Sequence, residues 1–113
     1  MEVLIKNIKD QAKVYLQDAG EFFPFGAKLM SNGEIIPVGV YVENYTNSQE
    51  LVGLLEKAAI EEIKKEGVLW YAIGIDVNVD SKNALMIKLT NDGKEWYQGI
   101  YNYNIIDKNV TID

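Results

Sequence analysis

The chain has 113 residues, 48% of them hydrophobic and 25% charged, the make-up of one globular domain and not of a disordered or membrane-embedded chain. Seventeen acidic residues oppose eleven basic ones, giving a net charge of −6. Cysteine and histidine are absent, and every basic residue is a lysine. These absences exclude thiolate and histidine-based catalysis and the commonest metal ligands. Without the arginine fork that reads phosphate and guanine, and with an acidic balance, nucleic-acid binding and attraction to anionic lipid are disfavoured as well. The first residues lack the basic start and long apolar core of a secretion signal, so a cytoplasmic location is expected. No apolar run approaches the roughly 18 residues of a membrane span.

Residues 2–19 carry Ile5, Ile8, Ala12, Tyr15, Leu16 and Ala19 on one helical stripe, and Gly20 is placed to cap that helix. Two apolar segments, 22–30 and 35–43, flank Ser31-Asn32-Gly33-Glu34. Asn-Gly is the strongest short hairpin signal, supplying both positive φ values of a type I′ turn. With Asn32 and Gly33 at the tip, Phe23, Phe25, Ala27 and Leu29 face Val42, Val40, Val38 and Ile36, and Gly26 falls opposite Gly39. Pro37 cannot donate to a ladder, which assigns its strand to a sheet edge. A second helix is expected from Thr46-Asn47-Ser48, with Gln49 or Glu50 reaching back as in a capping box. Its buried stripe is Leu51, Leu54, Leu55, Ala58, Ala59 and Ile63, and Gly67 ends it. Three more strands are expected at 68–79, 84–91 and 95–106, joined by Asp80-Ser81-Lys82-Asn83 and by a two-residue Asp92-Gly93 turn. That turn places Leu89 opposite Trp96, Lys88 opposite Tyr97 and Ala84 opposite Tyr101.

The element order is then α-β-β-α-β-β-β, an α+β fold whose five-stranded antiparallel sheet has the order 2-1-5-4-3. This topology is similar to that of the profilin-like and roadblock/longin modules, a likeness that carries no function. The stretch Glu21-Phe22-Phe23-Pro24-Phe25-Gly26-Ala27, with Asn32-Gly33 and Ala72-Ile73-Gly74-Ile75-Asp76-Val77, resembles small bacterial proteins with an E-F-x-P-F-G-A segment. That resemblance spans roughly residues 20–103 and implies the element order without implying an activity.

Candidate sites are few. In the structural reading of the Phe-Pro-Phe segment, Phe23 and Phe25 are core and Pro24 stiffens the chain. The facing glycines Gly26 and Gly39 would leave a notch bordered by Met30, Ile35, Pro37 and Tyr41, covered by a helix or by a second copy in a homodimer. Asp76, Asn78 and Asp80 have the spacing that opens a calcium loop, but Ser81 and Ile87 stand where the loop needs Gly and Glu, so no metal is expected. Tyr97, Tyr101 and Tyr103 alternate on one strand face, as sheet packing or as a binding shelf. Glu56, Glu61, Glu62 and Glu66 form an acidic helix face, solvated in the ordinary case. Asp76 is the one acid–base candidate, and no cofactor is implied. The leading expectation is therefore a non-catalytic protein-binding module, either homodimeric or an immunity-type inhibitor steered to a basic partner by charge. The Tyr97–Tyr101–Tyr103 stripe or the acidic helix face would make the contact. The alternative is a small-ligand sensor with its pocket near Trp70, Tyr71 and Tyr101.

Overall fold

The structure is a computed structural model that describes residues 1–39, 47–65 and 67–113. Its order is α1 (Glu2–Ala19), β1 (Phe25–Met30), β2 (Ile35–Val38), α2 (Ser48–Glu62), β3 (Val68–Val79), β4 (Lys82–Thr90), β5 (Tyr97–Ile106) and β6 (Asn109–Ile112). The fold is α+β with two helices, as expected, but the sheet has six strands in the order β2-β1-β3-β4-β5-β6.

The expected order 2-1-5-4-3 is thus corrected at the join: β1 pairs with β3 and not with the strand of Tyr97–Ile106. The reason lies in β3, where the consecutive residues Tyr71, Ala72, Ile73 and Gly74 are all buried. A strand apolar on both faces needs cover on both, which a central place in the sheet provides. β5 exposes Gln98, Ile100, Asn102 and Asn104 on one face, which suits a strand near the rim. The sixth strand, absent from the expected set, is a four-residue return after Asp107-Lys108 that alternates Asn109, Val110, Thr111 and Ile112. Pro37 does lie on an edge strand.

Both expected hairpin registers shift by one residue, each because the turn differs. Among Ser31, Asn32 and Gly33 only Gly33 takes positive φ, at 90°. Gly33 donates its N–H to the Met30 carbonyl (2.9 Å) and Met30 donates to Glu34 (2.8 Å), the pattern of a three-residue loop closed by a glycine bulge. Gly26 therefore faces Val38, and Leu29 faces Ile35. At the other hairpin the Asp92 carboxylate accepts the N–H groups of Glu95 (2.9 Å) and Lys94 (2.8 Å), and Gly93 donates to Thr90 Oγ1 (2.8 Å). Those bonds, the Glu95 one first, hold the Asp92 carboxyl below its ordinary value, and the loop is longer than two residues. Leu89 consequently faces Tyr97, Lys88 faces Gln98 and Ala84 faces Asn102. The two-residue turns form instead at Asp80-Ser81 and Asp107-Lys108, all four residues having positive φ.

One helix covers each face of the sheet. α1 buries Leu4, Ile8, Ala12 and Leu16 and ends at Gly20, whose φ of 75° lets its N–H reach the Leu16 carbonyl. Tyr15 and Ala19, expected on the buried stripe, are exposed. Leu4 takes the inward place instead, so the stripe runs at spacings of four. The helix packs on Phe25, Ala27, Ala72, Leu85 and Ile87, and the sheet bends round it until β6 also touches it. Gly74 permits the approach, because a Cβ there would stand 2.8 Å from the Phe25 ring and 3.0 Å from Ile8.

α2 lies on the opposite face over β1 and β3. Its N-cap is Asn47, which accepts the Glu50 N–H. Leu51, Leu55 and Ala59 are buried, while Leu54 of the expected stripe is 42% exposed. The helix stops at Glu62, before Gly67.

Candidate functional site

The segment between α1 and β1 is where the sequence and the structure part most informatively. Phe25 begins β1 and is buried, Phe22 is buried as well, and Phe23 stands 66% exposed. The expectation that Phe23 and Phe25 form the core pair is corrected: residues 21–24 are not strand, so strict alternation does not reach back to Phe23. Phe22 turns inward and meets Phe25 edge-on at 5.5 Å, and Tyr15 meets Phe25 from the helix at 5.1 Å. Pro24 fixes the backbone between the two.

These side chains wall a cleft of about 690 Å³ at the C-terminal end of α1. Tyr15, Phe22, Phe23 and Pro24 supply its apolar surface, and Asp18, Glu21 and Asp76 supply carboxylates. No lysine stands among its described lining residues. Beneath it, Tyr103 Oη donates to Asp76 Oδ1 at 2.7 Å. Burial raises the Tyr103 hydroxyl above its ordinary value, and the carboxylates of Asp76 and Glu21 push it the same way. A second hollow of about 490 Å³, lined by Asn83, Asn102, Asn104 and Asp113 among others, sits beside the β3–β4 turn, at the start of β4 and the last part of β5.

The candidate residues named from sequence fall in several places. Tyr97, Tyr101 and Tyr103 share the α1 face. Tyr103 is buried, Tyr101 lies under the Lys9 ammonium at 3.9 Å, and Tyr97 is half exposed beside Trp70 at 6.2 Å. The stripe therefore grades from packing to surface along β5. Glu56 and Glu62 do not point away from the sheet: Glu56 pairs with Lys88 of β4 at 2.8 Å and Glu62 with Lys28 of β1 at 3.1 Å. They tie α2 down on two flanks. Glu61 is exposed, and Glu66 lies outside the described residues.

The expected notch is not formed. Gly26 faces Val38 instead of Gly39, and the ring of Tyr71 fills the space beside it, 3.4 Å from where a Cβ would stand. Ile35 and Pro37 pair directly with Leu29 and Ala27 and so lie on the α1 side of β2, away from that space. Met30 approaches Gly67. Tyr41 and the facing valines Val40 and Val42 lie outside the described residues. Trp70 and Tyr101 are on the α1 face and Tyr71 on the α2 face, so the pocket expected between them is not enclosed there. Asp76 is half buried and engaged by Tyr103. Among the described residues, no group of three or more acidic side chains is placed to hold a metal ion, and no helix is long and apolar enough to cross a membrane.

No family model, curated protein or solved structure matches the chain. The likeness to E-F-x-P-F-G-A proteins and to profilin-like modules rests on the sequence alone.

Proposed function

We propose that the protein is a non-catalytic module that binds another protein, with the Phe23 cleft as its contact surface. The supporting observation is the 66% exposure of Phe23 on an aromatic wall. A large aromatic left in water beside a concave apolar surface is what a partner's side chain covers. The cleft and the Tyr97–Trp70 edge are better surfaces for this than the acidic helix face, since two of its glutamates are already paired to lysines. The immunity-type version of this reading, in which an acidic chain caps a basic partner, agrees with the net charge of −6.

The test is native mass spectrometry of tagged protein drawn gently from its source cells, alongside a Phe23→Ser variant. A second polypeptide in fixed stoichiometry with the wild-type chain, lost from the variant, is the expected result. Because Phe23 is exposed, the variant should melt at the wild-type temperature. A small added mass in place of a polypeptide would favour a ligand sensor, and a complex indifferent to Phe23→Ser would move the contact elsewhere.

A further inference from the structure

Resting on the reading of the Phe23 cleft as a protein-binding surface, we infer that it receives an arginine side chain from a basic segment of a different protein. Three features of the cleft converge on that occupant. Its walls are faces and edges of Tyr15, Phe22 and Phe23, on which a planar guanidinium stacks more favourably than a strongly hydrated ammonium. Its charges are all of one sign, with Asp18, Glu21 and Asp76 among the described lining and no lysine to neutralise them. One of these charges is half sheltered and half used. Asp76 gives Oδ1 to the Tyr103 hydroxyl, and Oδ2 has no hydrogen-bond partner among the described residues. A guanidinium donates several N–H groups in a fixed fork, so it can reach Asp76 Oδ2 while its plane lies against an aromatic ring.

The composition decides between a second copy and another protein. This chain contains eleven lysines and no arginine, so another copy of itself cannot supply the group. The cleft therefore predicts a heterologous partner, and the same carboxylates would repel a second acidic chain.

The experiment uses the full chain with a blocked Gly-Arg-Gly peptide as the probe, followed by amide chemical shifts. Blocked Gly-citrulline-Gly, of the same shape and uncharged, is the control. Saturable shifts centred on residues 15–25 and 76 are expected with the arginine peptide, at least about fivefold tighter than with citrulline. Raising the salt to about 0.5 M should weaken them, as exposed charge pairs are screened. Glu21→Gln should loosen binding about threefold or more. Asp76→Asn, which keeps an oxygen for the Tyr103 hydroxyl, should do the same without lowering the melting temperature. Equal affinity for the two peptides, or shifts away from the cleft, overturns the inference. If a protein complex is lost with Phe23→Ser but ignores Glu21→Gln and salt, the binding module stands and the arginine site falls. If the arginine peptide binds but no polypeptide complex forms, the protein-binding reading is the one that fails.

Discussion

α1 and α2 cover opposite faces of one sheet in different ways. α1 sits in a trough: the sheet curls until β1 on one side and β6 on the other both touch it, and Leu4, Ile8, Ala12 and Leu16 are sealed from water. α2 rests on a flatter surface over β1 and β3, where Leu55, Ala59, Tyr71 and Ile73 make a smaller cluster. Two half-buried ion pairs, Lys28–Glu62 and Lys88–Glu56, hold its flanks. Beyond it, Ile100 on β5 remains 51% exposed. The trough takes its stability from continuous apolar burial, and the flat face relies on a short contact plus charge. The cleft proposed as the contact surface lies at the rim of the trough, where α1 ends and Phe23 is 66% exposed.

The strongest way to break this contrast is to cut into each core. Ile8→Ala removes a fully buried side chain packed by helix and sheet, and a loss of about 3 kcal/mol in urea unfolding is expected. Leu55→Ala, under α2, should cost about 2 kcal/mol, because a site next to open surface collapses more readily. Native-state hydrogen exchange sharpens the point. Amides of α2 should exchange through a local opening that leaves α1 protected. Equal opening free energies for the two helices would refute the contrast.

The smaller cluster also carries an imperfection. The Tyr71 hydroxyl is buried and has no partner among the described residues. Burial, with the Glu62 carboxylate acting in the same direction, pushes its pKa up to about 12. A polar group taken from water without a new hydrogen bond destabilises the fold, so Tyr71→Phe should be neutral or gain up to about 1 kcal/mol. A loss of more than about 1 kcal/mol in the same unfolding assay would reveal a partner for that oxygen.

The turns explain what the sequence made legible and what it hid. Both helices, β1, β2 at an edge and the extent of the apolar strand at 68–79 were readable, because periodicity and Pro37 report burial directly. The central place of that strand was not, since the expected order set it at an edge. Nor were the registers. Asn32-Gly33 and Asp92-Gly93 carry the strongest two-residue turn signals, yet each forms a longer loop in which only the glycine has positive φ. The tight turns occur at Asp80-Ser81 and Asp107-Lys108, which have no glycine. Paired strands on either side impose the left-handed backbone there, against local preference. The overlooked β6 follows from the same cause, since it depends on the second of these turns. Phe23 stands outside the core because strand geometry begins only at Phe25, after Pro24, a boundary that alternation alone does not mark. Ser81→Gly should relieve part of the imposed strain and raise stability by about 0.5–1 kcal/mol, after allowing for the extra freedom of the unfolded chain. An unchanged or lower melting temperature would show that Ser81 is comfortable as it stands.

The smallest expected effect concerns the charges that secure α2. The hydrogen bond from the Lys28 ammonium, ahead of that from Lys65, lowers the Glu62 carboxyl below its ordinary value of 4.5. A carboxyl depressed in the folded state binds its proton more readily when unfolded. Its stabilisation is therefore present above about pH 4.5 and drains away as the pH falls through the folded value. Glu62→Gln should accordingly be slightly less stable than the wild-type chain near neutral pH. The difference should narrow as acid is added below 4.5, until the two melting curves converge. The α1 trough, held by apolar burial, supplies no such dependence through Ile8 or Leu16. If the gap between wild type and Glu62→Gln stayed constant down to about pH 3, the Lys28–Glu62 contact would not be acting as an ion pair, and α2 would be held by its apolar stripe alone.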